Sequence, residues 1–241
     1  MIVLILGGGP PASETNDVPV WLAERDGQVL VERFVTACAG LDARLVFAVR
    51  AQDAKRFRLD NVIRLASPNA AIVPISGETM GAACTALLCI DQIAPDAELL
   101  ILNSNELLVA DYAAVLADFR ARDLDAGIVV FPSLHPRYSY VRLDDGGMII
   151  EAAEKNPISR NATAGFYWFR RGENFITAAQ SMIGKDAQVD GRFFISLVFN
   201  ELVLAQKKLG VFPIEAAHYV PLKSRQQMAQ YEAGHDQGES A

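Results

Sequence analysis

Short runs of apolar residues, each ending in polar or glycine positions, recur through the first half of the chain. Runs of about four to eight such residues are typical of parallel strands that helices cover on both faces. Amphipathic segments separate these runs, and the clearest places Leu30, Phe34 and Cys38 at helical spacing. The pattern predicts strands over residues 2–6, 44–49, 71–75 and 98–102, a further short strand over residues 62–66, and helices over residues 28–41, 51–58, 82–93 and 111–122.

The second half of the chain follows a different order. A turn at residues 144–147 predicts a hairpin between strands over residues 138–143 and 148–152. Together the two halves predict a single α/β domain over residues 1–232, parallel at first and mixed afterwards, followed by a flexible tail over residues 233–241. The remaining predicted elements are strands over residues 126–131, 163–169 and 211–214, and helices over residues 173–183, 193–207 and 224–231.

Composition narrows the class of partner. The 241 residues are 51% hydrophobic, which is enough for one sizeable core. A net charge of −7 and a pI of about 5.0 argue against nucleic acid as a partner, since a nucleic-acid surface needs a basic face. No apolar run approaches the ~20 residues that a membrane helix needs. We therefore expect a cytoplasmic protein with no membrane contact.

A polar cluster ends the fourth predicted strand. Asn103, Ser104, Asn105 and Glu106 follow the apolar residues 98–102 directly. In open α/β sheets, ligands bind outside the carboxyl ends of the strands, where the strand order switches. The cluster therefore predicts the floor of a binding site. The alternative is a plain strand-to-helix connection in which Asn or Ser caps the following helix.

Two glycine-rich turns follow predicted strands. Gly7, Gly8 and Gly9 come directly after the first strand, and glycines there allow the backbone to approach an anion closely. The segment 76–81, which ends in Gly81, opens the helix over residues 82–93 and presents unpaired N–H groups. The alternatives are a surface loop for the first turn and a simple helix cap by Thr79 for the second.

A Glu-Lys pair and a glycine in a strand complete the candidate set. Lys155 can hold a phosphate as a point charge, and Glu154 can accept hydrogen bonds from sugar hydroxyls. Gly165 lies within the strand over residues 163–169, where it would let a ligand lie against the backbone. The alternative for the pair is an exposed turn before Pro157.

The order of these motifs resembles a known family. A glycine loop, then Gly-x-Thr-x-Gly before a helix, then a strand ending Asn-Ser-Asn-Glu, then Glu-Lys-Asn-Pro and Ala-Gly-Phe-Tyr are similar to the sugar-phosphate nucleotidyltransferases of the dTDP-glucose pyrophosphorylase type. The resemblance implies a Rossmann-like three-layer sandwich of the glycosyltransferase-A type, with a mostly parallel mixed sheet. It also implies that a sugar-1-phosphate attacks the α-phosphorus of a nucleoside triphosphate and releases pyrophosphate, as in polysaccharide biosynthesis.

The resemblance assigns roles by position. It implies that Mg²⁺ is the cofactor, held at Asn105 and Glu106, and that Lys155 and Glu106 are the catalytic groups. The partners implied are a nucleoside triphosphate and a phosphorylated small molecule, with oligomer formation left open. The nucleotide-binding positions implied are Gly7, Gly8, Gly9, Gly81, Asn103 and Asn105, and the substrate-binding positions are Glu154, Lys155 and Gly165.

The chain departs from the family pattern where charge is needed. Residues 7–19 contain no Lys or Arg, although the family loop carries an arginine and a Lys-Pro pair. Asn105 stands at a metal-binding aspartate, and a second aspartate expected near residues 219–221 is replaced by Tyr-Val-Pro. Losing one neutralising group costs about 2.7–4 kcal/mol of catalysis, so the predicted activity requires that other groups replace the missing ones.

Two other functions therefore stay open. In one, the fold is kept as a ligand-binding or regulatory module that has lost catalysis. In the other, the protein is a glycosyltransferase that uses a nucleotide-sugar donor, and Asn105 and Glu106 form a degraded acidic metal motif.

Overall fold

The computed structural model describes residues 1–9 and 18–234. Most of the loop between the predicted first strand and Pro19, and residues 235–241 of the predicted flexible tail, lie outside the described residues. In the part of the chain that is described, no helix has the length and apolar character needed to cross a membrane.

Strands and helices alternate as the apolar pattern predicts. The strands are β1 (Ile2–Gly7), β2 (Glu24–Arg25), β3 (Gln28–Val29), β4 (Arg44–Arg50), β5 (Ala71–Ile75), β6 (Leu99–Asn103), β7 (Glu106–Leu108), β8 (Ala126–Pro132), β9 (Ser139–Leu143), β10 (Ile149–Glu154), β11 (Asn161–Phe169), β12 (Leu209–Pro213) and β13 (Tyr219–Pro221). The α-helices are α1 (Leu30–Cys38), α2 (Ala51–Phe57), α3 (Leu59–Ala66), α4 (Ala82–Leu87), α5 (Tyr112–Ala121), α6 (Gly172–Gly184), α7 (Ile195–Leu204) and α8 (Arg225–Glu232).

In the described residues, nine strands form one mixed sheet. The main path runs β10-β9-β11-β6-β1-β4-β5, and β8 pairs with β11 and with β12. β10 and β11 run against the other seven strands, so the sheet is mostly parallel in direction. The predicted α/β class with a mixed central sheet is confirmed.

The apolar core lies on both faces of this sheet. Along β1, Val3 and Ile5 belong to one layer, whereas Leu4 belongs to the other, because successive side chains of a strand point to opposite faces. α1, α3 and α5 cover the first face, and α4, α6 and α7 cover the second. Each fully buried aliphatic side chain contributes about 1.5–3 kcal/mol of hydrophobic free energy. Three layers therefore hold the strand ends in place.

One predicted element is wrong. Residues 62–66 belong to helix α3 and not to a short strand. Leu59 and Ile63, four residues apart, are both buried on the α1 side of the sheet, which is the spacing of a helix face. Arg58 has a φ of +52° and lies between α2 and α3, so the chain forms two short helices here. The helix predicted over residues 82–93 is also shorter, ending at Leu87.

The strand order reverses beside β1. From β1 the chain passes to β4 and β5 on one side and then returns to β6 on the other side. Leu6 of β1 is paired with Asn103 of β6, so the first glycine loop and the Asn103 cluster leave the sheet next to each other. This switch point is where ligands bind in open α/β sheets.

Candidate active site

A cavity of about 870 Å³ opens over the carboxyl ends of β1 and β6. This volume is typical of sites for small molecules. It brings together predicted site residues from four separate loops, which are Gly7, Gly8, Gly9, Gly81, Asn103, Asn105, Glu106, Glu154 and Lys155.

The first glycine loop packs its backbone closely against side chains. A Cβ on Gly7 would lie 1.9 Å from Cζ2 of the buried Trp21, and a Cβ on Gly8 would lie 2.8 Å from Cγ2 of Thr85. Gly9 has open space around it. Neither Gly7 nor Gly8 has room for a side chain, so the loop can offer its backbone to a ligand at close range.

The Gly81 turn is fastened to the start of α7. Gly81 has φ 110° and ψ 174°, a combination that is essentially restricted to glycine. A Cβ there would lie 2.4 Å from the carbonyl oxygen of Phe193, and the Phe193 amide donates to the carbonyl of Met80 at 2.7 Å. The Thr79 hydroxyl lies 2.7 Å from the Thr85 hydroxyl and does not cap α4. The turn therefore connects the start of α4 to the segment before α7, and both line the cavity.

Glu106 is a buried carboxylate with both oxygens engaged. The residue is 2% exposed. Its Oε1 accepts from Nδ2 of Asn103 at 2.6 Å, and its Oε2 accepts from the hydroxyl of Tyr219 at 2.5 Å and lies 3.0 Å from Nζ of Lys223. The pairing of β7 with β13 sets Glu106 opposite Pro221. Pro221 lies in the segment where the family resemblance implied a second aspartate.

Aromatic rings surround this carboxylate. Tyr219 is stacked on Phe131 with ring centroids 4.1 Å apart. The Lys223 ammonium lies 5.5 Å from the Tyr138 ring centroid and 6.0 Å from that of Tyr219. Burial and the neighbouring Glu106 carboxylate raise the pKa of Tyr219 well above its ordinary value, so its hydroxyl stays protonated and donates.

Gly165 makes room for Glu106. It has a φ of +66°, and a Cβ on it would lie 2.1 Å from Oε1 of Glu106. Its contact in the structure is therefore with the carboxylate, and its role in sugar binding stays a prediction. Asn105 is exposed, and its backbone carbonyl accepts from the amide of Leu222 at 2.8 Å. This bond fastens the strand-end cluster to the segment that carries Lys223.

Glu154 is a second carboxylate at the cavity. It is 9% exposed, and its Oε2 accepts from the hydroxyl of Ser139 and, at 3.4 Å, from that of Ser196. Burial raises the pKa of Glu154, although the two hydroxyls and the charge of Lys223 act in the opposite direction. A carboxyl group held in this way can accept a hydrogen bond from a ligand hydroxyl.

Lys155 follows Glu154 in the chain, and its ammonium forms an ion pair with Asp190. Its Nζ lies 2.8 Å from Oδ2 of Asp190, and both side chains are largely exposed. Lys155 has a φ of +54°, which is uncommon for a residue other than glycine. The hydrogen bond and the charge of Lys155 lower the pKa of Asp190. Asp190 thus serves as the partner of the predicted phosphate-binding lysine.

The sequence model of the nucleotidyl transferase family matches residues 29–206. The match covers well over half of the chain and includes the Gly81 turn, the Asn103–Glu106 cluster and the Glu154–Lys155 pair. The chain belongs to the nucleotidyl transferase family. The resemblance in motif order is therefore confirmed. No curated protein sequence matches the chain.

Solved structures share the whole architecture of this nucleotidyl transferase. A nucleoside-diphosphate-sugar pyrophosphorylase of Vibrio cholerae RC9 has a TM-score of 0.80 at 19% identity, over 97% of this chain and 100% of that chain. A candidate glucose-1-phosphate thymidylyltransferase of Bacillus anthracis, in complex with a sucrose, has a TM-score of 0.74 at 15% identity, over 100% of this chain and 96% of that chain.

A third structure is more distant. HddC of Yersinia pseudotuberculosis, complexed with GMP-PN, has a TM-score of 0.64 at 15% identity, over 97% of this chain and 98% of that chain. At these identities the likenesses show the fold. The predicted three-layer sandwich of the nucleotidyltransferase type is confirmed.

Most of the positive charge of the cavity was missed by sequence reasoning. The basic side chains that line it come from β4, the segments before β9 and α7, the segment that leads into α8, and the first residue of α8. Nothing in their local sequence marks them, since isolated Arg and Lys residues in loops are common. The missed residues are Arg50, Arg137, Arg192, Lys223 and Arg225, together with the hydrogen-bonding residues Ser139, Ser196 and Tyr219.

The side chains of this nucleotidyl transferase do not fit the Mg²⁺ site that the resemblance implied. In residues 1–9 and 18–234, no three His, Cys, Asp or Glu side chains are grouped to hold a metal ion. Both oxygens of Glu106 accept from other donors, one of them the ammonium of Lys223. Asp53 forms two hydrogen bonds with Arg50, at 2.8 and 2.7 Å. A Mg²⁺ ion at Asn105 and Glu106 would have to displace the ammonium. Binding of Mg²⁺ at these two residues stays a prediction.

Proposed function

We propose that the protein transfers a nucleotidyl group from a nucleoside triphosphate to a phosphorylated small molecule such as a sugar-1-phosphate. A phosphate oxygen of the acceptor attacks the α-phosphorus. The bond from the α-phosphorus to the bridging oxygen breaks, and pyrophosphate leaves. The products are a nucleoside diphosphate derivative of the acceptor and pyrophosphate.

The observation that carries the proposal is the content of the cavity at the switch point. It joins the Gly7–Gly9 loop, the Gly81 turn and the Glu154–Lys155 pair within one volume of about 870 Å³. Among the described residues that line it, six are basic and four are acidic, although the whole chain carries a net charge of −7. A locally basic cavity in an acidic protein supports a polyanionic ligand.

The roles of the residues follow from their chemistry. The backbone of Gly7–Gly9 is suited to lie along the triphosphate, and the Gly81 turn is suited to approach the base. Glu154 can accept from acceptor hydroxyls, while Lys155 can bind the acceptor phosphate. Charge neutralisation along the phosphates is the main requirement of this chemistry, and Arg192 and Lys155, which both line the cavity, can supply it.

The test is a pyrophosphate-release assay. The purified chain is mixed with each nucleoside triphosphate and a panel of sugar-1-phosphates, with Mg²⁺ or with EDTA. We expect release that needs both substrates and that falls about 100-fold or more in Lys155→Met. A control variant, Lys208→Met, removes a lysine that is paired with Asp123 on the protein surface and should leave the rate unchanged. Absence of release with every pair would contradict the proposal.

A ligand-binding module is the second candidate. It is favoured by the engagement of Glu106 with three donors and of Lys155 with Asp190, since both predicted catalytic groups already have partners. Thermal stabilisation by a nucleotide without pyrophosphate release would select it. Transfer of sugar from a nucleotide-sugar donor would select a glycosyltransferase instead.

We also propose that residues 1–232 form a single domain. The support is that one sheet contains strands from both halves of the chain, with β8 and β11 from the second half on the sheet that β1 begins. Limited proteolysis that releases two separately stable fragments from this range would contradict it.

A further inference from the structure

The charge of Glu106 is balanced inside the cavity by a side chain of the protein. Two neutral groups, the Asn103 amide and the Tyr219 hydroxyl, donate to the carboxylate, and the third partner is the Lys223 ammonium at 3.0 Å. Glu106 is 2% exposed, whereas the side chain of Lys223 is 32% exposed. The buried anion therefore holds a cation whose other side faces the cavity.

Several contacts fix the position of Lys223. Its ammonium lies near the faces of Tyr138 and Tyr219, at 5.5 and 6.0 Å from the ring centroids. The backbone of the preceding Leu222 is bonded to Asn105 at 2.8 Å. Cation–π contacts and a buried counter-ion cut the entropy cost of fixing a lysine, which is otherwise a flexible point charge. The charge is thus pre-organised for a ligand.

The carboxylate itself has little room for another cation. Gly165 closes one side of it, since a Cβ there would lie 2.1 Å from Oε1. A divalent ion needs free carboxylate lone pairs, and Glu106 already gives its two oxygens to three donors. The place where the motif order implied Mg²⁺ is filled by an ammonium group.

We propose that Lys223, anchored by Glu106, is a built-in cation that binds the phosphate chain of the ligand directly, in the place of a metal ion at Asn105 and Glu106. The inference rests on the proposed function for the identity of the ligand as a nucleoside triphosphate. The phosphate contact itself requires only a polyphosphate in the cavity. The chain consequently binds polyphosphate with little dependence on divalent cations.

The position of Lys223 supports a phosphate contact. Lys223 lines the same cavity as Gly8, and the strand-end cluster that leads to Glu106 is bonded to the end of β1, next to the glycine loop, through the Ser104 amide and the Leu6 carbonyl at 2.9 Å. A charge-assisted hydrogen bond from an ammonium to a phosphate oxygen is among the stronger polar contacts in proteins. The sequence of residues 7–19 contains no Lys or Arg, so a ligand at Gly7–Gly9 would take this cation from a distant part of the chain.

The experiment is calorimetric titration of the full chain with inorganic tripolyphosphate and with nucleoside triphosphates, in EDTA and in Mg²⁺. For the wild type we expect dissociation constants in EDTA and Mg²⁺ that agree within about threefold. Lys223→Met should weaken binding in EDTA about tenfold or more, since one charged contact is lost. In Lys223→Met, Mg²⁺ should restore part of the affinity, because the ammonium no longer occupies the cavity side of Oε2 of Glu106.

Three further variants control for folding and for charge. Lys223→Arg keeps the cation and should retain most of the affinity. Lys223→Met combined with Glu106→Gln removes both charges together, so it should fold without a stranded anion and still bind weakly in EDTA. Lys185→Met removes a lysine that is also paired with a largely buried glutamate, Glu201 at 2.7 Å, but outside the cavity, and should bind as the wild type does.

The outcomes separate this inference from the proposed function. Lys223-dependent binding of tripolyphosphate in EDTA without any pyrophosphate release would support the inference and contradict the function. Pyrophosphate release that needs Mg²⁺ and is unchanged in Lys223→Met would do the reverse. A wild type that loses more than about threefold of its affinity in EDTA, or that binds no polyphosphate under either condition, would overturn the inference.

Discussion

The two walls of the cavity are built differently. One, the glycine wall, consists of Gly7–Gly9 and Gly81 and offers mainly backbone. The other, the charged wall, consists of Glu154, Lys155, Arg192 and Lys223 and offers side chains that act as donors, acceptors and charges. The glycine wall comes from the parallel half of the sheet, and the charged wall comes from the second half of the chain.

The difference shows that the positive charge of a cavity need not come from its glycine loop. The glycine wall has no Lys or Arg in residues 7–9, and the sequence of residues 10–19 adds none. The charged wall supplies Lys155, Arg192 and Lys223 from three separate segments that meet across the cavity. A phosphate site needs positive charge in a volume and not at a particular place in the sequence. Four predictions test this division, from the largest expected effect to the smallest.

The first prediction concerns the point where the walls meet. Gly81→Ala places a Cβ 2.4 Å from the Phe193 carbonyl oxygen at φ 110°. We expect a loss of about 3 kcal/mol or more in the free energy of unfolding, from backbone strain plus the clash. Gly77→Ala is the matched control, since Gly77 has a φ of +72° but nothing within 4 Å, and strain alone should cost about 1–2 kcal/mol. Urea denaturation measures both, and equal losses would show that the contact with Phe193 does not matter.

The second prediction removes a cation from the charged wall. Lys155→Met should lower kcat/KM for pyrophosphate release by about 100-fold, because a developing phosphate charge loses its neutralising group. Its melting temperature should hardly change, since ion pairs between exposed side chains contribute about 0–1 kcal/mol. An unaltered kcat/KM in this variant would show that the phosphate does not bind at the charged wall.

The third prediction concerns Glu154. Burial raises the pKa of Glu154 in the folded protein. The stabilising contribution of this residue is therefore fully present below its pKa in the unfolded chain, and it is lost as the pH rises through its pKa in the folded protein. Glu154→Gln removes that loss, so its melting temperature relative to the wild type should increase with pH over this window. The kcat/KM value should fall about tenfold, because a neutral amide oxygen accepts a weaker hydrogen bond from a ligand hydroxyl than a carboxylate does.

The control for Glu154 is its neighbour on β10. Glu151→Gln removes a carboxylate that is paired with Arg142 outside the cavity, and it should alter neither the pH slope nor kcat/KM. Thermal melts between acid and neutral pH give the slope. A flat difference between Glu154→Gln and the wild type would mean that the Glu154 carboxylate is not destabilised by its surroundings.

The fourth and smallest effect concerns Asp190. Its pKa is lowered by Lys155, so its contribution to stability is present above its unfolded pKa and is lost as the pH falls. Both side chains are largely exposed, and Asp190→Asn should leave the melting temperature at neutral pH almost unchanged. By releasing Lys155, the variant should lower KM for the phosphorylated acceptor a few-fold, as measured by initial rates. A raised KM would indicate that Asp190 orients the lysine for the acceptor.

Sequence reasoning predicted the strands that lead to the cavity. Continuous apolar runs predicted β1 and β6, and polar or glycine residues at their ends predicted the cavity floor at Asn103 and Glu106. It failed at α3, where Leu59 and Ile63 form a helix face beside a residue with positive φ. The period of a short apolar run does not distinguish a strand from a helix. In the structure this run belongs to a helix that packs against both α1 and α2.

The sequence by itself determined the α/β class, the family and the order of the backbone loops around the cavity, because apolar periodicity and glycine placement act on neighbouring residues. Only the tertiary structure decided what Glu106 and Gly165 contact and where Lys223 lies. A buried carboxylate takes its partners from whatever the packing brings within about 3 Å, and the sheet brings β7 and β13 together from distant parts of the chain. Short-range electrostatics therefore depend on long-range topology, which no local pattern contains.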